Sequence, residues 1–93
     1  INIFNNIPNS IWVQVRDFPQ NPIAALSLAK NITETLDLEE QLWLIGWLEQ
    51  EIWQTKQIPK SIKRLEKLRT QLIGFVQPRL AWEISLIELI EFN

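Results

Sequence analysis

Carboxylates, lysine amines and arginine guanidinium groups are the side chains through which this chain could do chemistry, because its 93 residues include no His and no Cys. The commonest general base, the commonest zinc ligands and all thiol reactions are therefore absent. General acid–base catalysis by Glu and Lys remains, but neither a glycine-rich phosphate loop nor a metal-ligand pattern accompanies it. The sequence predicts a protein that is not an enzyme, with no catalytic residue, cofactor or metal ion.

Two charged residues fall on helix faces that are otherwise apolar. In a helical projection, Glu49 lies in the apolar face of one predicted helix and Arg69 lies in that of the next. Because an unpaired buried charge is costly, we expect Glu49 and Arg69 to form a structural ion pair that fixes the register of the two helices. A catalytic Arg–Glu pair is the weaker interpretation, since structural ion pairs produce the same pattern.

Positive charge is concentrated in one segment. Residues 56–69 hold six of the nine basic residues, and four of them project to one side of a helix: Lys60, Lys63, Arg64 and Lys67. We interpret them first as a solvated face. Contact with a nucleic-acid backbone or with an acidic protein partner are the alternatives. The net charge of -2 provides no overall attraction to nucleic acid or to an anionic membrane.

Prolines divide the chain into helices, because proline starts a helix readily and interrupts its interior. Asn21 before Pro22, and Asp37 before two glutamates, are suitable helix caps. The predicted helices are Pro22 to about Leu36, Asp37 to about Thr55, Lys60 to about Val76, and Arg79 to about Phe92. Short connections favour an all-α fold, a small antiparallel bundle of four main helices.

The first twenty residues form an N-terminal arm of uncertain conformation, followed by the bundle at residues 22–92. The segment Ile11–Phe18, IWVQVRDF, alternates like a strand, which would pair with Ile1–Phe4 or with another chain. It also fits a short helix capped by Ser10, which we favour. We interpret residues 1–93 as one domain, either complete or part of a longer chain.

Three of the five tryptophans fall within LWLIGWLEQEIW, at residues 42–53. Trp53 projects with the core leucines and isoleucines of its helix. Trp43 and Trp47 project among acids and glutamines instead. Either a neighbouring segment covers these two rings, or they form the centre of a protein interface with a polar rim.

The last predicted helix is apolar on two sides. One side holds Leu80, Ile84, Ile87 and Ile90, and the other holds Trp82, Leu86 and Leu89. A chain of this length has little material with which to bury such a helix centrally. We therefore expect Trp82, Leu86 and Leu89 to join Trp43 and Trp47 in an interface with another protein or with a second copy.

The segment Leu36–Gln54, LDLEEQLWLIGWLEQEIWQ, resembles a helix of bacterial toxin–antitoxin antitoxins with the pattern L-x-x-E-E-Q-L-x-L-I. The resemblance implies a small protein that binds a protein partner. Antitoxins of this type also carry a DNA-binding element and a toxin-wrapping tail, and the sequence shows neither pattern.

The expected function is that of a non-enzymatic protein-interaction module or a small subunit of a larger complex. The alternative is a helical subunit that contacts a nucleic-acid backbone through the basic third helix. The longest apolar run, Leu42–Leu48, is far shorter than the roughly 18 residues of a membrane-spanning helix. The sequence therefore predicts a soluble, cytoplasmic protein that does not bind membranes.

Overall fold

A computed structural model of the chain describes residues 7–55, 57–74 and 77–92. These residues form five helices and no strand, so the all-α class is confirmed for them. The helices are α1 (Asn9–Arg16), α2 (Pro22–Thr35), α3 (Leu38–Thr55), α4 (Pro59–Ile73) and α5 (Pro78–Phe92). The favoured helix in the N-terminal arm is present as α1. The alternative strand partner, Ile1–Phe4, lies outside the described residues.

Local capping sets where the helices begin. The side chain of Asn21 accepts a hydrogen bond from the backbone N–H of Ala24 at 2.9 Å, with Pro22 in the first turn. Asp37 and Glu40 form a reciprocal capping box, with bonds of 2.8 and 3.0 Å. Both caps are therefore as predicted. The cap predicted at Ser10 is wrong, because α1 begins at Asn9 after Pro8 and has no side-chain cap.

The third predicted helix ends earlier than its apolar pattern indicates. It ends at Ile73, and the N–H of Gly74 donates to the carbonyl of Thr70 at 2.9 Å. The predicted end at Val76 lies outside the described residues. Between α3 and α4, Gln57 has a left-handed backbone with a φ of 50°, and its N–H donates to the carbonyl of Ile52 at 2.8 Å. This bond satisfies one carbonyl of the last turn of α3.

Helix α5 lies at the centre of the bundle, packed against α2 and α4. Trp82, Leu86 and Leu89 are fully or almost fully buried in the core. Their assignment to a protein interface is corrected by this burial: they pack inside the chain and are not a surface. A chain of 93 residues can bury this face of α5, because α2 and α4 flank the helix and α3 contacts it on a third side.

All five helices contribute to one core, together with Ile7 before α1 and Leu36 between α2 and α3. Its buried apolar members include Ile11, Trp12 and Val15 of α1, together with Ala25, Leu28, Ala29, Ile32, Leu44, Ile45, Leu48, Leu65, Leu68, Leu72 and Ala81. The described part of the N-terminal arm, from Ile7 onward, therefore packs with the bundle. None of the helices in the described part of the chain has both the length and the apolarity that a membrane crossing requires.

The core face of α3 differs from the predicted one. Trp53, predicted to be in the core, is 56% exposed. The buried residues of α3 are Gln41, Leu44, Ile45 and Leu48. Gln41 lies at the centre of the buried face of α3 but counts as polar in a helical projection. The projection therefore placed the centre of the core face too close to Trp53.

Candidate protein-interaction surface

The ion pair predicted between α3 and α4 is present in the structure. Arg69 Nη2 lies 2.8 Å from Glu49 Oε1, and Arg69 Nε lies 3.4 Å from Glu66 Oε2. A Cβ at Gly46 would lie 3.6 Å from Arg69 Nη2, so the guanidinium group passes directly over this position of α3. The Arg69–Glu49 contact joins α4 to α3, whereas the Arg69–Glu66 contact lies within α4.

Partial burial dominates the electrostatics of this pair. Desolvation raises the pKa of Glu49 above its usual value of 4.5, and the nearby Glu66 carboxylate raises it further. The hydrogen bond from Arg69 lowers it but does not compensate fully. The same bond raises the pKa of Arg69. Charge pairing with Arg69 therefore offsets only part of the desolvation cost of Glu49, which is typical of a structural contact.

Trp43 and Trp47 are covered by α1. Trp12 is buried and packs edge-on against both rings, with centroid separations of 5.9 Å to Trp43 and 4.8 Å to Trp47. Of the two interpretations that the sequence leaves open, the structure shows the covering segment. The two rings are half-buried and pack against the core, so they do not form an exposed pair.

Trp47 also lines a groove of about 550 Å³ at one end of the bundle. Its apolar wall consists of Val15, Phe18, Trp47, Leu48, Ile52 and Leu89. Arg16 and Glu51 lie at its charged edge, and the Thr55 hydroxyl donates to the carbonyl of Glu51 at 2.6 Å. Within the described residues no cluster of acidic side chains is arranged to hold a metal ion.

The basic face of α4 is smaller than predicted. Lys60, Lys63 and Lys67 are exposed, and among the described residues none of the three forms an ion pair. We call these three residues the lysine row. Arg64, assigned to the same face, is only 6% exposed, and its Nε lies 2.7 Å from Glu88 Oε2 of α5. Its assignment to a nucleic-acid contact is corrected by this burial.

Arg64 is poorly satisfied despite its short distance to Glu88. Among the residues that the structure describes, neither its Nε nor its Nη1 has a well-directed hydrogen-bond partner. The close approach is therefore a charge contact in which the Nε–H is not aligned for a hydrogen bond to Glu88. It still shows that Arg64 of α4 and Glu88 of α5 lie next to each other.

The outer side of α5 carries a row of exposed aliphatic side chains. Leu80 is 48% exposed and Ile84 is 44% exposed, while Ile87 is partly buried. Their spacing of four and three residues aligns them along one side of the helix. We call Leu80, Ile84 and Ile87 the outer stripe. It lies opposite Trp82 and Leu89, so α5 is apolar both toward the core and toward solvent.

The sequence of the chain matches a known protein family over most of its length. The model of the family described as cyanobacterial DNA polymerase III delta prime, C-terminal domain, matches residues 1–89. The chain belongs to this family. Membership in the delta prime C-terminal domain family agrees with a small helical domain of a complex subunit, and it lends no support to the antitoxin resemblance. Neither the curated proteins nor the solved structures include a significant match.

Proposed function

We propose that this delta prime C-terminal domain is a non-enzymatic protein-interaction module, which holds its subunit in a DNA polymerase III assembly by packing the outer stripe of α5 against another subunit. The family description supports a role within a polymerase complex, because it names a domain of one designated polymerase subunit.

The observation that carries the proposal is the second apolar face of α5. Trp82, Leu86 and Leu89 already supply the core contacts of this helix. Leu80 and Ile84 nevertheless keep nearly half of their surface in water. Burying apolar surface is worth about 25 cal/mol per Å², so an aliphatic row of this kind gains stability when a partner covers it. A helix that is apolar nearly all round is typically buried or shared.

A binding measurement with a matched pair of variants tests the proposal. Leu38 of α3 is 42% exposed, which is close to the exposure of Ile84. We expect Ile84→Glu to weaken binding to a purified cyanobacterial DNA polymerase III subunit by about tenfold or more, as loss of a central interface residue does. Leu38→Glu, the control, should leave the affinity unchanged. Isothermal titration calorimetry gives both affinities, and circular dichroism verifies the helical content of each variant.

Two outcomes contradict the proposal. In the first, none of the purified polymerase subunits binds the chain, or both variants bind as the unaltered chain does. In the second, light scattering shows that the chain dimerises and that Ile84→Glu abolishes the dimer without affecting any polymerase subunit. The outer stripe would then be occupied by a second copy.

A further inference from the structure

We infer that the subunit covering the outer stripe presents an acidic amphipathic helix, whose carboxylates face the lysine row of α4. The inference rests on the proposed function and specifies the chemistry of the partner. It combines two surfaces, one aliphatic and one cationic, into a single binding site.

The packing of α4 against α5 brings the two surfaces side by side. The Arg64–Glu88 contact of 2.7 Å shows that these two residues lie at the same height along the two helices. Because consecutive helices joined by a short connection run antiparallel, one turn forward along α4 corresponds to one turn back along α5. Lys67 lies one turn after Arg64, and Ile84 lies one turn before Glu88. Lys67 and Ile84 are therefore level with each other, and both are exposed.

The carboxylates nearest in sequence to these surfaces are already engaged. Glu88 lies against Arg64 at 2.7 Å, and Glu83 accepts a hydrogen bond from Arg79 at 3.3 Å. Glu66, on α4 itself, contacts Arg69. The positive charges of the lysine row are therefore available to interact with solvent ions or with a binding partner.

The arrangement favours an acidic protein over a nucleic-acid backbone. A phosphate backbone is read by cations and offers no apolar surface to cover Leu80 and Ile84. The burial of Arg64 reduces the predicted four cations to three. Lys60 and Lys67 are seven residues apart, about 10 Å along a helix, which two turns of a partner helix would match. An apolar strip edged by acids on such a helix complements both surfaces at once.

Charge reversal on the lysine row tests the inference with the polymerase subunit that the Ile84 experiment identifies. We expect Lys63→Glu combined with Lys67→Glu to weaken binding by about tenfold at low salt, because opposite charges become like charges across the interface. The difference should shrink at high salt, since mobile ions screen exposed charges. Lys30→Glu on α2 is the matched control, an exposed lysine outside α4 and α5, and it should have no effect.

The outcomes separate this inference from the proposed function. If Ile84→Glu destroys the complex while lysine reversal leaves its affinity and salt dependence unchanged, the acidic partner is wrong and the docking surface stands. If Ile84→Glu has no effect, both fail. If the unaltered chain binds a short DNA duplex, and lysine reversal removes that binding but not the subunit affinity, the lysine row serves nucleic acid and the inference is overturned.

Discussion

The indole Nε1 of Trp82 donates a hydrogen bond to the side-chain oxygen of Gln41 across 2.9 Å, and both residues are buried. The amide nitrogen of Gln41 in turn donates to the carbonyl of Leu36, also at 2.9 Å. Gln41 thereby satisfies the one polar atom of the central tryptophan and a backbone carbonyl at the end of α2. A polar residue can occupy the core of this bundle because both ends of its amide are paired.

Replacing Gln41 should destabilise the fold. In Gln41→Leu the buried indole N–H and the Leu36 carbonyl lose their partner, and we expect the free energy of unfolding to fall by about 1–3 kcal/mol. Urea denaturation followed by circular dichroism measures the change. Gln50→Leu is the control, because Gln50 is exposed on the same helix, and its effect should stay within about 0.5 kcal/mol. Equal losses in the two variants would contradict a structural role for the Gln41 amide.

Two leucines of α5 test which of its faces is the core. Leu86→Ala should reduce the free energy of unfolding by about 2–5 kcal/mol, because truncating a buried leucine leaves a cavity. Leu80→Ala makes the same chemical change on the outer stripe, and it should cost less than about 1 kcal/mol. Thermal and urea unfolding of both variants provide the comparison. If Leu80→Ala lost more unfolding free energy than Leu86→Ala, the Leu80 side of α5 would be the one that faces the core.

The pKa of Glu49 should lie above 4.5, and an NMR titration of its carboxyl carbon measures it. Burial favours the neutral carboxyl in the folded state, so the folded chain holds this proton to higher pH than the unfolded chain. The contribution of Glu49 to stability consequently falls as the pH rises from 4.5 through the raised pKa. Glu49→Gln, which cannot ionise, should lack this part of the pH dependence.

The neighbours of Glu49 should move its pKa in opposite directions. Glu66→Gln removes a carboxylate that raises the pKa of Glu49 and should lower it. Arg69→Gln removes the cation that lowers this pKa and should raise it. The same carbon resonance reports both variants. Shifts of the same sign in the two variants would contradict the electrostatic assignment.

Trp12 should control how accessible Trp43 and Trp47 are to solvent. We expect Trp12→Leu, which keeps an apolar side chain, to expose parts of both rings and to increase the quenching of tryptophan fluorescence by acrylamide. Trp53→Phe should have the opposite effect, since it removes a ring that is already 56% exposed. If quenching is unchanged in Trp12→Leu, α1 is not the segment that protects the pair.

Much of the fold follows from local signals. Asn21 with Pro22, and Asp37 with Glu40, fix the starts of two helices through hydrogen bonds within one turn. Such contacts involve neighbours in sequence, so the pattern contains the information needed to predict them. The Glu49–Arg69 pair was equally predictable, because each charge interrupts an apolar face and each needs a partner.

The faces of α3 and α5 could not be assigned in the same way. Gln41 counts as polar in a projection, although Trp82 and Leu36 make it a core residue. On α5 both sides are apolar, so hydrophobicity alone does not select the inner one. Small residues were the remaining signal. Ala81 and Ser85 are buried beside Trp82, where a small side chain lets another helix approach closely.

The central position of α5 also has a consequence for synthesis. Helix α2 ends at Thr35, whereas the helix that covers much of its apolar face begins only at Pro78. On the ribosome, more than forty further residues must be synthesised after α2 before the chain reaches α5, its principal neighbour. Contacts this distant in sequence form late and leave apolar surface open in the meantime. Until α5 has been made, the apolar side chains of α2, such as Leu28 and Ile32, lack the neighbour against which they pack in the folded chain.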